Sequence, residues 1–216
     1  MDSANMNDPS QKIAKLLLQI EAVKLNTKKP FTWTSGIKSP IYCDNRLSLS
    51  YPEVRDYIKM QLIDLIKKTF GVPEVIAGVA TAGIPQAALV ADHLHIPLVY
   101  VRSQAKAHGL ENRIEGRLKK GQKVIVIEDL ISTGKSSLAA AGALKNAGAE
   151  VIGLVSIFNY GFKETEEKFD MANIPIYSLT DYSTLIQVAL AEDYVSDKQM
   201  VLLKSWRVDP QNWKPK

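Results

Sequence analysis

The sequence predicts an α/β fold in which a mainly parallel sheet is flanked by helices. Three observations carry that prediction. Residues 74–78, 97–101, 123–127, 150–157 and 175–179 are short β-branched runs without polar alternation, the pattern of strands buried on both faces. Helical segments lie between several of them, at 84–94, at the Ala-rich 135–147 that ends at Gly148, and at 162–171. Alternating strands and helices imply right-handed crossovers and a parallel sheet. At 216 residues, with 46% apolar and 23% charged residues, the chain has ordinary globular proportions and can bury a sizeable core without disulfide staples.

Residues 10–24 come first, with Ile13, Leu16, Leu17 and Ile20 on one helical face. Between residues 27 and 49 the periodicity breaks into short extended pieces around Pro30, Gly36 and Pro40. Ser50 and Glu53 then read as a capping-box pair with Pro52 in the first turn, followed by Val54, Tyr57, Ile58, Leu62, Leu65 and Ile66 at helical spacing. Residues 103–122 interrupt the later alternation. Charged, poor in apolar side chains and holding three glycines, they read as a structureless excursion that serves as a flap or lid. Helices near 181–191 and 196–207 close the chain.

Lys and Arg total 27 against 23 Asp and Glu, a net charge of +4 with a pI near 9.0. This is a mild bias toward anionic partners, without the polybasic run that nucleic acid demands. The single Cys43 excludes an internal disulfide framework and a multi-cysteine zinc site, and it fits a reducing compartment. The first ten residues hold two acids and no apolar run, unlike a signal peptide. The longest uncharged stretch, 75–91, is too short to span a bilayer. The expectation is a soluble, cytoplasmic protein that binds neither membrane nor nucleic acid. His93 and His95, two apart, cannot share a helical face and read as structural or exposed; Cys43 reads as a packing residue, and Trp33, Trp206 and Trp213 as core or interface residues.

Ligands of open parallel sheets bind beyond the carboxyl ends of the strands. The run at 123–127 is followed there by Glu128, Asp129, Leu130, Ile131, Ser132, Thr133, Gly134, Lys135, Ser136 and Ser137. A small, hydroxyl-rich turn entering a helix suits a phosphate monoester, while adjacent carboxylates suit sugar hydroxyls. A ribose 5-phosphate satisfies both. A P-loop does not fit, because position 129 holds Asp where that motif requires glycine. An ordinary strand–helix turn explains Ser132 and Thr133 but not two acids at the end of a buried strand. Gly78 to Pro85 forms a second small-residue turn that lets backbone N–H groups approach an anion. Arg102, Lys106 and His108 place three cations on the flap, suited to a highly charged leaving group.

Val124 to Gly134 resembles the phosphoribosyl-pyrophosphate signature of type I phosphoribosyltransferases. Phe31 to Tyr42, the turn 78–85, and the flap residues Arg102 to Gly109 with Asn112, Ile114, Glu115 and Gly116 resemble the orotate branch of that family. The resemblance runs from about residue 12 to the end of the chain. It implies one domain, 1–216: a small hood drawing on about 10–50, an α/β core at about 70–180, and C-terminal helices at about 181–216.

The resemblance also implies the reaction: orotate and 5-phosphoribosyl 1-pyrophosphate give orotidine 5′-monophosphate and pyrophosphate, with Mg2+ carried mainly on the substrate and no metal site of the protein's own. Glu128 and Asp129 would hold the ribose hydroxyls, Leu130, Ile131, Ser132, Thr133, Gly134, Lys135 and Ser136 the 5-phosphate, and Ser132 would also approach orotate. Arg102, Lys106 and His108 would contact pyrophosphate, reaching across from the partner subunit of a homodimer with shared sites. Lys106, Asp129 and His108 are the expected catalytic residues. The chain departs from some relatives in carrying Ser103, Ala82, Asn159 and Thr34 where they have basic residues. Two other functions compete: a purine phosphoribosyltransferase, and a non-catalytic nucleic-acid-binding regulator of the same fold. Lys106 and the whole segment 128–136 argue against the regulator.

Overall fold

A computed structural model describes residues 8–33, 36–103 and 113–214. The first apolar stripe folds as helix α1, Pro9–Gln19, with the Asp8 carboxylate accepting from the Ser10 N–H at 3.1 Å. The helix stops short of the expected residue 24 because Glu21 takes a left-handed conformation, φ 55°, and the chain then turns extended. Val23–Leu25 forms β1 instead. The broken region that follows supplies three short strands, β2 (Phe31–Thr32), β3 (Lys38–Ser39) and β4 (Ile41–Cys43), and a 3-10 turn at Asn45–Ser50. β1 pairs antiparallel with β4, and β2 with β3. Helix α2 spans Pro52–Phe70. Ser50 ends the 3-10 turn rather than framing the helix, so the capping-box expectation at Ser50 and Glu53 starts the helix too early.

Four elements of the expected alternation follow as β5 (Val75–Val79), α3 (Gly83–Leu94), β6 (Leu98–Val101) and β8 (Lys123–Ile131), with a further short strand, β7 (Ile114–Glu115), between β6 and β8. The flap region is therefore not wholly structureless: β7 pairs antiparallel with β6 as an edge strand, its Ile114 buried in the core. Helix α4 (Lys135–Asn146), β9 (Glu150–Asn159), α5 (Lys163–Met171) and β10 (Ile176–Asp181) complete the sheet, whose order is β10-β9-β8-β5-β6-β7. β8 runs four residues beyond its apolar stretch. Glu128, Leu130 and Ile131 keep their ladder against Ser156, Phe158 and Asn159 of β9. Backbone pairing is indifferent to side-chain charge, so the two acids lie within the strand and not in the turn after it. Val75, Ala77, Val79, Val124, Val126 and Leu154 form a core with Ala140, Ala141 and Leu144 of α4.

β5 and β8 are parallel neighbours whose connections leave in opposite directions, β5 through α3 to β6 and β8 through α4 to β9. Right-handed crossovers then put α3 and α4 on opposite faces of the sheet. The gap between the ends of β5 and β8 is a topological switch point, where ligands of open α/β sheets bind.

Helices α6 (Tyr182–Ala191) and α7 (Asp197–Val208) end the chain, α7 framed by a capping box of Ser196 and Gln199. By its internal contacts the chain divides into two units, Met1–Val54 with Thr180–Lys216, and Arg55–Leu179. The first unit packs around Trp206, which is fully buried against Trp33 and Tyr182. Among the described residues no helix is long and apolar enough to cross a membrane.

Candidate active site

The switch point is occupied by two turns of small residues. After β8, Ser132, Thr133 and Gly134 lead into α4, and Gly134 takes φ 71°. Gly134 is required twice over, since a Cβ there would also lie 2.7 Å from the Phe169 ring of α5. The Thr165 hydroxyl donates to the Ser132 carbonyl at 2.7 Å and ties the turn to α5. Gly134 offers α4 no side-chain cap, no acidic residue lies in the first turn, and Lys135 opens the helix. A cation and no cap at a helix N-terminus are both locally unfavourable, and a bound phosphate reverses both.

The turn after β5 has the same character. Ala80, Thr81 and Ala82 follow the strand, the Ala80–Thr81 peptide is cis, and α3 starts at Gly83 without a side-chain cap. A Cβ on Gly83 would collide with the Ile127 carbonyl oxygen and stand 3.2 Å from the Glu128 Cα. Glycine therefore lets α3 begin directly against the end of β8. A cavity of about 260 Å³ lies between the turns, lined by Ala80, Thr81 and Ala82 on one side and by Glu128 to Leu130 and Ser132 to Ser137 on the other.

Glu128 is 6% exposed. Burial, and then the adjacent Asp129 carboxylate, push its carboxyl far above the ordinary carboxylate range. Its Oε1 accepts from the Asp129 N–H and its Oε2 from the Ser137 hydroxyl, each at 3.2 Å.

The cavity is lined by Glu128, Asp129, Leu130, Ser132, Thr133, Gly134, Lys135 and Ser136 of the segment singled out in the sequence. Ile131 differs: its side chain is fully buried in the apolar core and does not line the cavity. Arg102 forms an ion pair with Glu115 of β7, N to O 3.5 Å, and its carbonyl accepts from Arg113. Lys106 and His108 lie outside the described residues, as does Thr34. His93 and His95 are exposed, and Cys43 is half-buried beside the Asn45 side chain. Asn159 accepts the Gly161 N–H through its side chain at 2.9 Å.

Ser137 closes the same hydroxyl-rich segment of the sequence, which assigns it no role of its own. Its only signal was a polar residue at position 137, on the face of α4 that carries Ala140, Ala141 and Leu144 into the core.

Residues 51–192 match the family model of the phosphoribosyl transferase domain, a span that includes both turns of the cavity. The chain is 55% identical over 203 residues to the orotate phosphoribosyltransferase of Listeria monocytogenes, covering 94% of this chain and 97% of that one. The chain belongs to the orotate phosphoribosyltransferase family. The orotate phosphoribosyltransferase of Staphylococcus saprophyticus is 56% identical over 195 residues, 90% of this chain and 96% of its own. The crystal structure of orotate phosphoribosyltransferase from Aeropyrum pernix superposes with a TM-score of 0.74 at 27% identity, covering 85% of this chain and 99% of that one.

Proposed function

We propose that the protein transfers the 5-phosphoribosyl group from 5-phosphoribosyl 1-pyrophosphate to N1 of orotate, releasing pyrophosphate and orotidine 5′-monophosphate for UMP synthesis. One observation carries the reading: paired carboxylates meet two uncapped helix N-termini in a single cavity. The first-turn N–H groups of α4, wrapped by the 130–136 segment, hold the 5-phosphate. Glu128 and Asp129 accept the ribose hydroxyls, and the turn at 80–82 faces the pyrophosphate. Ser132 approaches orotate.

Bond breaking to pyrophosphate runs ahead of attack by N1, so positive charge builds on the ribose ring. Stabilising the leaving group then matters more than a strong base. Arg102, Lys106 and His108, together with the N-terminus of α3, supply that stabilisation. Closing the flap excludes water from the activated sugar.

The residues present fit a Mg2+ ion that arrives on the substrate. Mg2+ keeps most of its octahedral shell as water and phosphate oxygens, and the cavity supplies the adjacent carboxylates Glu128 and Asp129. Asp129 would support that shell, and the ion when bound would neutralise charge on the leaving pyrophosphate. The same reading includes a homodimer whose flaps reach the partner's site, and a cytoplasmic setting in keeping with the single cysteine.

The test is absorbance-monitored loss of orotate with phosphoribosyl pyrophosphate and Mg2+, alongside adenine, hypoxanthine and xanthine. Turnover of orotate and none of the purines is expected. Turnover of a purine without orotate, or of nothing by a folded sample, contradicts the proposal.

A further inference from the structure

Ser137 is 2% exposed and is the one polar residue on the buried face of α4. Alanine would fill that place as well, as Ala140 and Ala141 do one turn on, and would avoid desolvating a hydroxyl. The hydroxyl has a specific partner, the Glu128 Oε2 at 3.2 Å. The other oxygen, Oε1, accepts the Asp129 N–H. With one donor on each oxygen, the carboxyl cannot turn about its terminal bond without losing one of them. Two buried groups from different elements, β8 and α4, are thereby locked together on the cavity wall.

The geometry points to Ser137 as a positioning residue: its hydroxyl fixes the Glu128 carboxyl so that the remaining lone pairs meet a ribose hydroxyl. This rests on the reading of the cavity as a ribose-phosphate site. Ser137 touches no reacting atom. It acts through Glu128, and a carboxyl displaced by even a fraction of an ångström loses the preorganisation on which such contacts depend.

The experiment measures affinity for phosphoribosyl pyrophosphate by calorimetry, and kcat and KM by turnover, in Ser137→Ala, Ser137→Thr and Ser137→Cys. Leaving a buried acceptor without its donor is costly enough that Ser137→Ala should weaken sugar-phosphate affinity roughly 10- to 100-fold. The rise should fall on KM for phosphoribosyl pyrophosphate, with KM for orotate unchanged. Ser137→Thr, which keeps the hydroxyl, should recover most of the loss. Ser137→Cys, nearly isosteric with a weak donor, should lie between, and it carries the test if the threonine methyl disturbs packing. In a Glu128→Ala background Ser137→Ala should add nothing, because the partner it serves has gone.

Wild-type affinity in Ser137→Ala, or equal losses in both backgrounds, would overturn the inference and leave Ser137 a packing residue. The calorimetric arm does not depend on the base accepted. A protein that binds the sugar phosphate but refuses orotate therefore contradicts the proposed reaction while still deciding the role of Ser137.

Discussion

Glu128 shows at the scale of one residue how a binding group can oppose the fold that holds it. Its carboxyl is raised above its ordinary value by burial and by the Asp129 charge, so the folded chain keeps a proton that the unfolded chain has already released. The stability tied to that proton is complete below the ordinary carboxylate range, about pH 4, and is lost as pH rises toward the native value. Each pH unit across that interval costs at most about 1.4 kcal/mol from this one group. Glu128→Gln removes the titration and keeps the shape, its amide oxygen still able to accept the Asp129 N–H while its NH2 group donates to the Ser137 hydroxyl. Thermal unfolding should therefore place the variant above wild type by several degrees near pH 8, with the gap closing toward pH 5, while transfer activity falls. Equal melting temperatures across that range would show that Glu128 is not held protonated. The acids themselves were legible, because charge at the end of a β-branched run has no structural reason to be there. The role of Ser137 was not, because its partner becomes visible only once β8 and α4 are packed.

At the scale of elements, the two helix N-termini depend on how closely backbone can approach backbone. Gly83→Ala places a methyl against the Ile127 carbonyl, which can move only by shifting α3 or β8. Overpacking of this kind should cost about 1–3 kcal/mol and weaken binding of pyrophosphate. Gly142, in the middle of α4, is the internal control: a Cβ there meets nothing within 4 Å. Gly142→Ala should stabilise the protein by about 0.5–1 kcal/mol through helix propensity alone, with activity retained. Denaturant melts of the two variants should thus shift in opposite directions, and shifts of the same sign would contradict the close approach of α3 to β8. The core strands were readable because strands covered on both faces have no polar alternation to blur them. The end of β8 was not: its last four residues are held by the length of β9, a non-local pairing that composition does not encode. The early stop of α1 at Glu21 was hidden for a related reason, since β1 exists only through its pairing with β4.

For the whole molecule, the alternation of strands and helices sufficed to place a switch point, and the cavity lies there. The proposed sharing of sites between subunits makes a prediction that needs no structure of the dimer. Lys106→Ala and Asp129→Asn homodimers should each be nearly inactive. Mixing them after dissociation collects both defects in one site of each hybrid and leaves the other wild type. Random pairing in a two-fold dimer should then restore roughly a quarter of the sites. No recovery, with subunit exchange verified by mass, would place the flap in its own subunit's site. The central claim, that the end of β8 and the start of α4 hold a ribose phosphate, is tested most directly by titrating phosphoribosyl pyrophosphate into wild type and Asp129→Asn in a calorimeter. Loss of a charged acceptor for a sugar hydroxyl should weaken binding roughly 10- to 100-fold, with no fall in the melting temperature. Wild-type affinity in a folded Asp129→Asn protein would contradict the assignment of this cavity.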